Sequence, residues 1–121
     1  MEIESGRPER RANKIAELND RFRRAVPYPS DVPGRVLVTQ GVHALPDTRK
    51  AAIFESIREH SSFAEGNDPY EEHDFGVVDV CDDRYIWKID YYDKNLQYGS
   101  ADPSDCLETI RVMTVMHVSE Y

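Results

Sequence analysis

The sequence predicts a single α+β domain in which a four-stranded, mostly antiparallel sheet carries two helices packed on one face. Three observations lead to this prediction: two segments whose apolar residues repeat every three or four positions, a β-branched segment between them, and three strand-like segments in the second half. The predicted order is therefore α-β-α-β-β-β, which is typical of the α+β class. A length of 121 residues is typical of one domain, residues 1–121.

The first predicted helix runs from about Pro8 to Val26 and follows a terminus, residues 1–6, that we expect to fray. Pro8 suits the first turn of a helix, and three prolines between residues 27 and 33 prevent its continuation. The apolar stripe that defines this helix consists of Ala12, Ile15, Leu18, Phe22 and Val26.

A strand, a second helix and a loop are expected next. The segment Arg35–Val42 is rich in β-branched residues and predicts a strand. The second helix opens at Pro46-Asp47 and runs to about Glu59, and its apolar residues recur at helical spacing, which gives it one buried face. Residues 61–74 have turn-forming residues and no periodicity, so they predict a loop.

Three further strands are predicted, Phe75–Cys81, Tyr85–Tyr92 and Thr109–Val118. The first two are expected to form a tight hairpin whose turn is Asp82-Asp83. That turn would pair six residues on one core face: Val80 with Tyr85, Val78 with Trp87, and Gly76 with Ile89. The opposite face would then carry Val77, Asp79, Ile86, Lys88, Asp90 and Tyr92.

Composition excludes several classes of protein. The formal net charge is −8 and the isoelectric point about 4.9, which argues against direct binding of DNA or RNA. No apolar run approaches the roughly 18 residues of a membrane span, and the charged start is not a signal peptide. With only two cysteines, the sequence does not predict a disulfide framework, so we expect a cytoplasmic protein. We also expect no cofactor.

The negative charge is concentrated in the second half of the chain. Residues 1–60 contain 11 basic and 9 acidic side chains, whereas residues 61–121 contain 4 basic and 14 acidic ones. Within this half, residues 65–105 contain the only tryptophan and five of the seven tyrosines, so we expect the acidic region to be folded. A folded acidic surface with interleaved tyrosines is the main functional indication in this sequence.

Several strings in the chain resemble a small bacterial family of unknown function. They are NDPYEEHDFG at residues 67–76, WKIDYYD at 87–93, LNDRF at 18–22, RVMT at 111–114 and SEY at 119–121. Members of that family are short acidic proteins often encoded on plasmids and other mobile elements. The resemblance implies a genetic setting, and by analogy the small acidic inhibitors of host defence systems that such elements carry.

Potential catalytic and metal-binding patterns are weaker. Glu72, His73 and Asp74 are adjacent, so they could share one metal only if the chain turned sharply there. The oxygen-bearing residues Asp93, Asn95 and Gln97 resemble a calcium loop, but its glycine and its final glutamate are not in register. We therefore predict no catalytic residue and no bound metal, and we lean toward a protein that is not an enzyme.

The favoured interpretation is an acidic binding protein that occupies the basic nucleic-acid-binding site of a partner protein or complex, as a mimic of DNA. The alternatives are a small metal-assisted hydrolase centred on His73 and Asp74, and a housekeeping interaction module. Neither the partner nor the oligomeric state follows from the sequence. The residues expected to bind the partner are Glu71, Glu72, Asp79, Asp82, Asp83, Asp90, Tyr91, Tyr92 and Asp93.

Overall fold

The computed structural model describes residues 2–63, 68 and 70–121, with side chains from residue 10 onward. Residue 1, and with it the start of the terminus expected to fray, lies outside the described residues, as do 64–67 and 69 of the loop. The elements are α1 (Glu2–Arg23), β1 (Gly34–Val38), α2 (Gln40–His43), α3 (Asp47–Glu59), β2 (Phe75–Val80), β3 (Asp83–Tyr92), β4 (Ile110–His117) and a 3₁₀ turn (Val118–Glu120).

The order of elements is α-β-α-α-β-β-β, so the predicted α-β-α-β-β-β is wrong by one short helix. The segment expected to continue β1 as far as Val42 turns into α2 after Val38 instead. Val42 is fully buried in the core from this helix, which explains why the segment is apolar without being a strand. Helix α1 also differs in its bounds, because it begins at Glu2 and ends at Arg23 rather than spanning Pro8 to Val26.

The sheet is mixed. Its strand order is β1-β4-β3-β2, with β2 and β4 each antiparallel to β3. The outer strand β1 pairs in parallel with β4, the last strand of the chain, so the expected sheet is only partly antiparallel. Parallel neighbours require a crossover connection, which α2, α3 and the following hairpin provide here.

The helices and one sheet face enclose the hydrophobic core. Phe22 from α1 and Ile57 from α3 belong to one cluster of buried residues together with Trp87, Met113 and Val115 of the central strands. These strand residues alternate with residues of the opposite face, as the pleat of a sheet requires. Among the described residues, no helix is sufficiently long and apolar to cross a lipid bilayer.

The β2–β3 hairpin has a different register from the predicted one. The turn is Cys81-Asp82, with φ of 51° and 65°, and Val80 therefore pairs with Asp83 rather than Tyr85. Both positive φ values match a two-residue hairpin turn whose twist suits the flanking strands. The shift is two residues, so each residue keeps its face, and Val78, Val80, Tyr85, Trp87 and Ile89 are all buried in the core.

In this register Gly76 lies directly beneath the indole of Trp87. The two residues are paired across the strands, and a Cβ at position 76 would lie 2.6 Å from Cε2 of the fully buried tryptophan. Gly76 therefore leaves room for Trp87, its cross-strand partner, rather than for Ile89, with which it was expected to pair.

Candidate interaction surface

The nine residues expected to bind a partner lie at opposite ends of the sheet. Strand β3 joins the two ends, and its ten residues span about 33 Å. Asp79, Asp82 and Asp83 surround the hairpin turn. The residues at the other end are Glu71, Glu72, Asp90, Tyr91, Tyr92 and Asp93. The structure therefore does not bring the nine residues together into one continuous surface.

Two of the three carboxylates at the hairpin end, those of Asp79 and Asp83, lie close to basic side chains. Asp79 accepts a hydrogen bond from Nε of Arg84 at 2.9 Å, which lowers the pKa of its carboxyl. Asp83 lies 3.2 Å from Nε2 of His117 and 3.9 Å from the guanidinium of Arg49. These three contacts are partly to largely exposed, so each adds little stability.

The opposite end of the sheet carries more carboxylates than cations. Its two loops, residues 70–74 and 93–109, extend beyond the ends of β2, β3 and β4. Nearby cations include Lys88, 2.7 Å from Asp90, and Lys94, 3.8 Å from Glu108. We call this surface the acidic end and define it by Glu71, Glu72, Asp74, Asp90, Asp93, Asp105 and Glu108.

Asp74 responds to the negative potential at the acidic end. Partial burial is the first cause that raises the pKa of its carboxyl, and the charge of Glu72 is the second. The charges of Asp68 and Asp90 act in the same direction. Like charges disfavour the ionised form of a carboxyl, so this shift reports burial together with the negative charge of the neighbouring carboxylates.

Side-chain caps hold the longer loop of the acidic end in shape. Oδ1 of Asp93 accepts hydrogen bonds from the backbone N–H groups of Asn95 and Gln97, both at 3.1 Å. Oδ1 of Asp105 accepts one from the N–H of Leu107 at 2.9 Å. Such Asx turns fix the direction of the chain locally, so the exposed side chains of this loop project from an ordered backbone.

Glu72 and Tyr91 are partly exposed and also take part in a network that leads from the acidic end into the core. The hydroxyl of Tyr91 donates to Oε1 of Glu72 at 2.9 Å and accepts from Nδ2 of Asn19 at 2.8 Å. Asn19 is fully buried, and its Oδ1 accepts from Nε of the equally buried Arg111 at 2.5 Å. Burial also raises the pKa of the Tyr91 hydroxyl. Tyr92 lies on the opposite face of β3 and is likewise half-buried.

His73 connects the short loop to α1. Its Nδ1 lies 3.0 Å from Oδ1 of Asp20, and its ring stacks on Phe63 with 4.0 Å between the centroids. Asp20 is also bound by Arg23 at 3.1 Å, so His73 joins an ion-pair network on the helix. Across the described ranges, no group of three or more His, Cys, Asp or Glu side chains is arranged to hold a metal ion. The geometry assigns His73 a bracing role.

An open cleft of about 550 Å³ lies between α1 and this loop. Carboxylates border it from both sides, Glu17 and Asp20 from the helix and Asp68 and Glu71 from the loop. Phe63 supplies an aromatic wall. The cleft therefore continues the negative surface of the acidic end toward α1.

Three exposed apolar side chains at the acidic end were not singled out from the sequence. Tyr70 is 77% exposed, Tyr98 74% and Leu107 75%, although all three are large hydrophobic residues. Each lies in one of the two loops that carry the carboxylates. The sequence does contain a signal for these exposed residues: each is an aromatic residue or a leucine within a turn-rich segment that has neither strand nor helix periodicity.

Comparisons with known proteins identify a family. No curated protein and no solved structure matches the chain. The profile of one family, described as proteins of unknown function (DUF3768), matches residues 38–120, about two-thirds of the chain. The matched region contains β2, β3, β4 and the whole acidic end, whereas α1 precedes it. The chain therefore belongs to the DUF3768 family of proteins of unknown function.

Proposed function

We propose that this protein is a non-enzymatic binding protein whose acidic end occupies the basic nucleic-acid-binding site of a partner. The observation that carries the proposal is the excess of carboxylates over cations on the two loops of the acidic end, where Asp93 and Asp105 are held in Asx turns. In the cell, the partner would be a defence nuclease or a CRISPR effector, and the protein would be its inhibitor, encoded on a mobile element.

The physics is that of nucleic-acid binding with the roles of the two sides exchanged. A basic site on the partner releases bound counterions when carboxylates replace phosphates, so affinity falls steeply as salt rises. The field of the acidic end also speeds the encounter with a positive surface. Both effects need unpaired carboxylates on a fixed framework, and the Asx turns at Asp93 and Asp105 provide that framework.

The acidic end suits this role better than the hairpin end. Asp79 is paired with Arg84 and Asp83 lies near Arg49, so a basic site would have to compete with these cations. Asp82 is exposed at the turn and adds one charge there. We therefore place the main contact on Glu71, Asp93 and Asp105. Asp90 and Glu108, which lie near Lys88 and Lys94, and Tyr92 are beside them.

The test uses two matched variants that each remove three negative charges without changing side-chain size. In the first, Glu71→Gln, Asp93→Asn and Asp105→Asn neutralise the acidic end. In the second, Asp47→Asn, Glu55→Gln and Asp82→Asn neutralise three exposed carboxylates outside it. Asparagine retains the oxygen that accepts the backbone bonds at 93 and 105.

Each tagged protein is incubated with a lysate of cells that carry restriction and CRISPR systems, and bound proteins are released by a salt gradient. The captured partner is then purified and titrated at several salt concentrations. We expect it to bind nucleic acid, to be displaced by added oligonucleotide, and to bind the first variant about tenfold more weakly. The slope of log affinity against log salt should fall by roughly 2–3 for that variant.

Two results would contradict the proposal. Equal binding of the first variant and the wild type would show that the acidic end makes no contact, and loss of binding confined to the second variant would move the contact to the hairpin end.

A partner that nucleic acid does not displace would instead favour the housekeeping interaction module. Cleavage of a substrate by the purified protein, abolished in His73→Ala, would favour the hydrolase.

A further inference from the structure

We infer that the site blocked by the acidic end is one that binds single-stranded nucleic acid, with Tyr70 and Tyr98 in the place of unstacked bases. This inference rests on the proposed function and adds the class of site. It is carried by the tyrosines, which the charge argument does not use. Their side chains are 77% and 74% exposed on the two loops that present the carboxylates.

Each exposed ring lies beside a carboxylate along the backbone. Tyr70 immediately precedes Glu71, whose side chain is also exposed. Tyr98 is joined to Asp93 by the hydrogen bond from the N–H of Asp93 to the carbonyl of Tyr98, at 2.8 Å. The acidic end thus offers two units that each combine a flat aromatic ring with a negative group, as a nucleotide combines a base with a phosphate.

The two kinds of nucleic-acid site differ in what they can accept. A site for duplex DNA contacts phosphates and groove edges, because the faces of the bases are stacked inside the helix. A site for a single strand combines a basic groove with aromatic platforms on which bases stack. Protruding tyrosine rings would gain nothing in the first kind of site and would stack in the second.

The rings are also presented on ordered backbone. Gly99 forms an antiparallel bridge with Tyr92, and the N–H of Ser100 donates to the carbonyl of Tyr91 at 3.1 Å, so the segment after Tyr98 is fixed to the end of β3. On the other loop, the N–H of Glu71 donates to the carbonyl of Asp68 at 3.1 Å. Ordering a side chain on fixed backbone costs less entropy upon binding than ordering a whole loop, which favours use as an anchor.

The experiment starts from the complex of this protein with its captured partner, immobilised through the tag. Release is measured with a 20-nucleotide oligothymidine and with a 20-base-pair duplex, at equal concentrations of phosphate. In parallel, Tyr70→Ala and Tyr98→Ala are titrated against the partner. Tyr121→Ala is the matched control, because Tyr121 is 76% exposed and belongs to neither loop; its ring lies 5.9 Å from that of Phe75.

We expect the single strand to release the partner at a concentration at least tenfold lower than the duplex. Each of Tyr70→Ala and Tyr98→Ala should weaken binding about fivefold or more, with the salt slope unchanged, since neither removes a charge. Tyr121→Ala should bind as the wild type does.

Release by duplex at equal or lower concentration would overturn the inference and leave the proposed function standing. Normal binding of both tyrosine variants would have the same meaning. A partner that neither nucleic acid releases, or the capture of no partner, would overturn the proposed function and this inference together.

Discussion

Replacing Asn19 with alanine measures how strongly the buried network ties α1 to the sheet. The amide of Asn19 donates at 2.8 Å to the carbonyl of Glu72 and to the hydroxyl of Tyr91, and it accepts from Arg111. Without it, the buried Arg111 would keep one hydrogen bond from Nη2, to the carbonyl of Pro103, while its Nη1 already has no partner. A buried charge that loses a hydrogen bond is expensive.

The expected magnitude follows from these three bonds. The bond from the charged Arg111 contributes about 1.5–3 kcal/mol and each neutral bond about 0.5–1.5 kcal/mol. Alanine returns roughly 0.5 kcal/mol because it favours the helix. We expect the free energy of unfolding to fall by about 2–5.5 kcal/mol, and the melting temperature by roughly 8–22 °C for a chain of this size.

The assay is urea unfolding followed by the fluorescence of Trp87, the only tryptophan, with circular dichroism as a second probe. The control is Asn13→Ala, an exposed position of the same helix, where the same substitution should leave stability unchanged or raise it slightly. In a double-mutant cycle with Tyr91→Phe, we expect a coupling of about 1 kcal/mol. Stability of Asn19→Ala within 0.5 kcal/mol of the wild type would refute this account of the network.

Three further predictions concern other positions. Gly76→Ala should lower the free energy of unfolding by about 1–3 kcal/mol, because the added Cβ overlaps the indole of Trp87. Gly99→Ala is the control and should change that free energy little, because no atom lies within 3.8 Å of the added Cβ. Equal urea midpoints for the two variants would contradict this prediction. The pKa of Asp74 is raised in the folded state, so its ionised form destabilises the fold above that pKa. Asp74→Asn should therefore melt at a higher temperature than the wild type at pH 7, and the difference should vanish as the pH falls below 3.8. A constant difference in melting temperature across that range would argue against this account. The pKa of Glu120 is lowered, chiefly because the hydroxyl of Thr39 donates a hydrogen bond to its carboxylate. The ionised carboxylate therefore stabilises the fold above pH 4.5, and this stabilisation is lost as the pH falls. In thermal melts, Glu120→Gln should melt at a lower temperature than the wild type at pH 7 and approach the wild type at acidic pH.

The faces of the elements could be predicted from the sequence, but the register of the hairpin could not. Alternation of apolar residues determines which face each side chain occupies, and a shift of two residues leaves that alternation intact. The register depends on the turn, and Cys81-Asp82 with two positive φ angles lacks the Asn-Gly or Asp-Gly signature of such turns. The short helix α2 was hidden for a related reason, since a buried Val42 fits a strand and a helical turn equally well.

The candidate site was predictable in charge and not in contacts. The excess of carboxylates is visible in the composition of residues 61–121. The contact of Asp83 with His117, and the joining of Asn19 to Arg111, are interactions between residues far apart in the chain that only the folded sheet brings together. Tyr91 was expected to bind the partner, but it shares its face of β3 with Trp87 and Ile89 and packs against the core.

The position of α1 affects how this family should be divided into fragments for study. The family match begins at residue 38, yet the arginine at position 111 inside it receives its buried hydrogen-bond acceptor from Asn19, and the histidine at 73 is held by Asp20. A fragment that starts at the family boundary would also lack nearly all of β1, the neighbour of β4. Such a fragment should be readily digested by proteases, and a failure to bind in that form would report on its folding rather than on its surface.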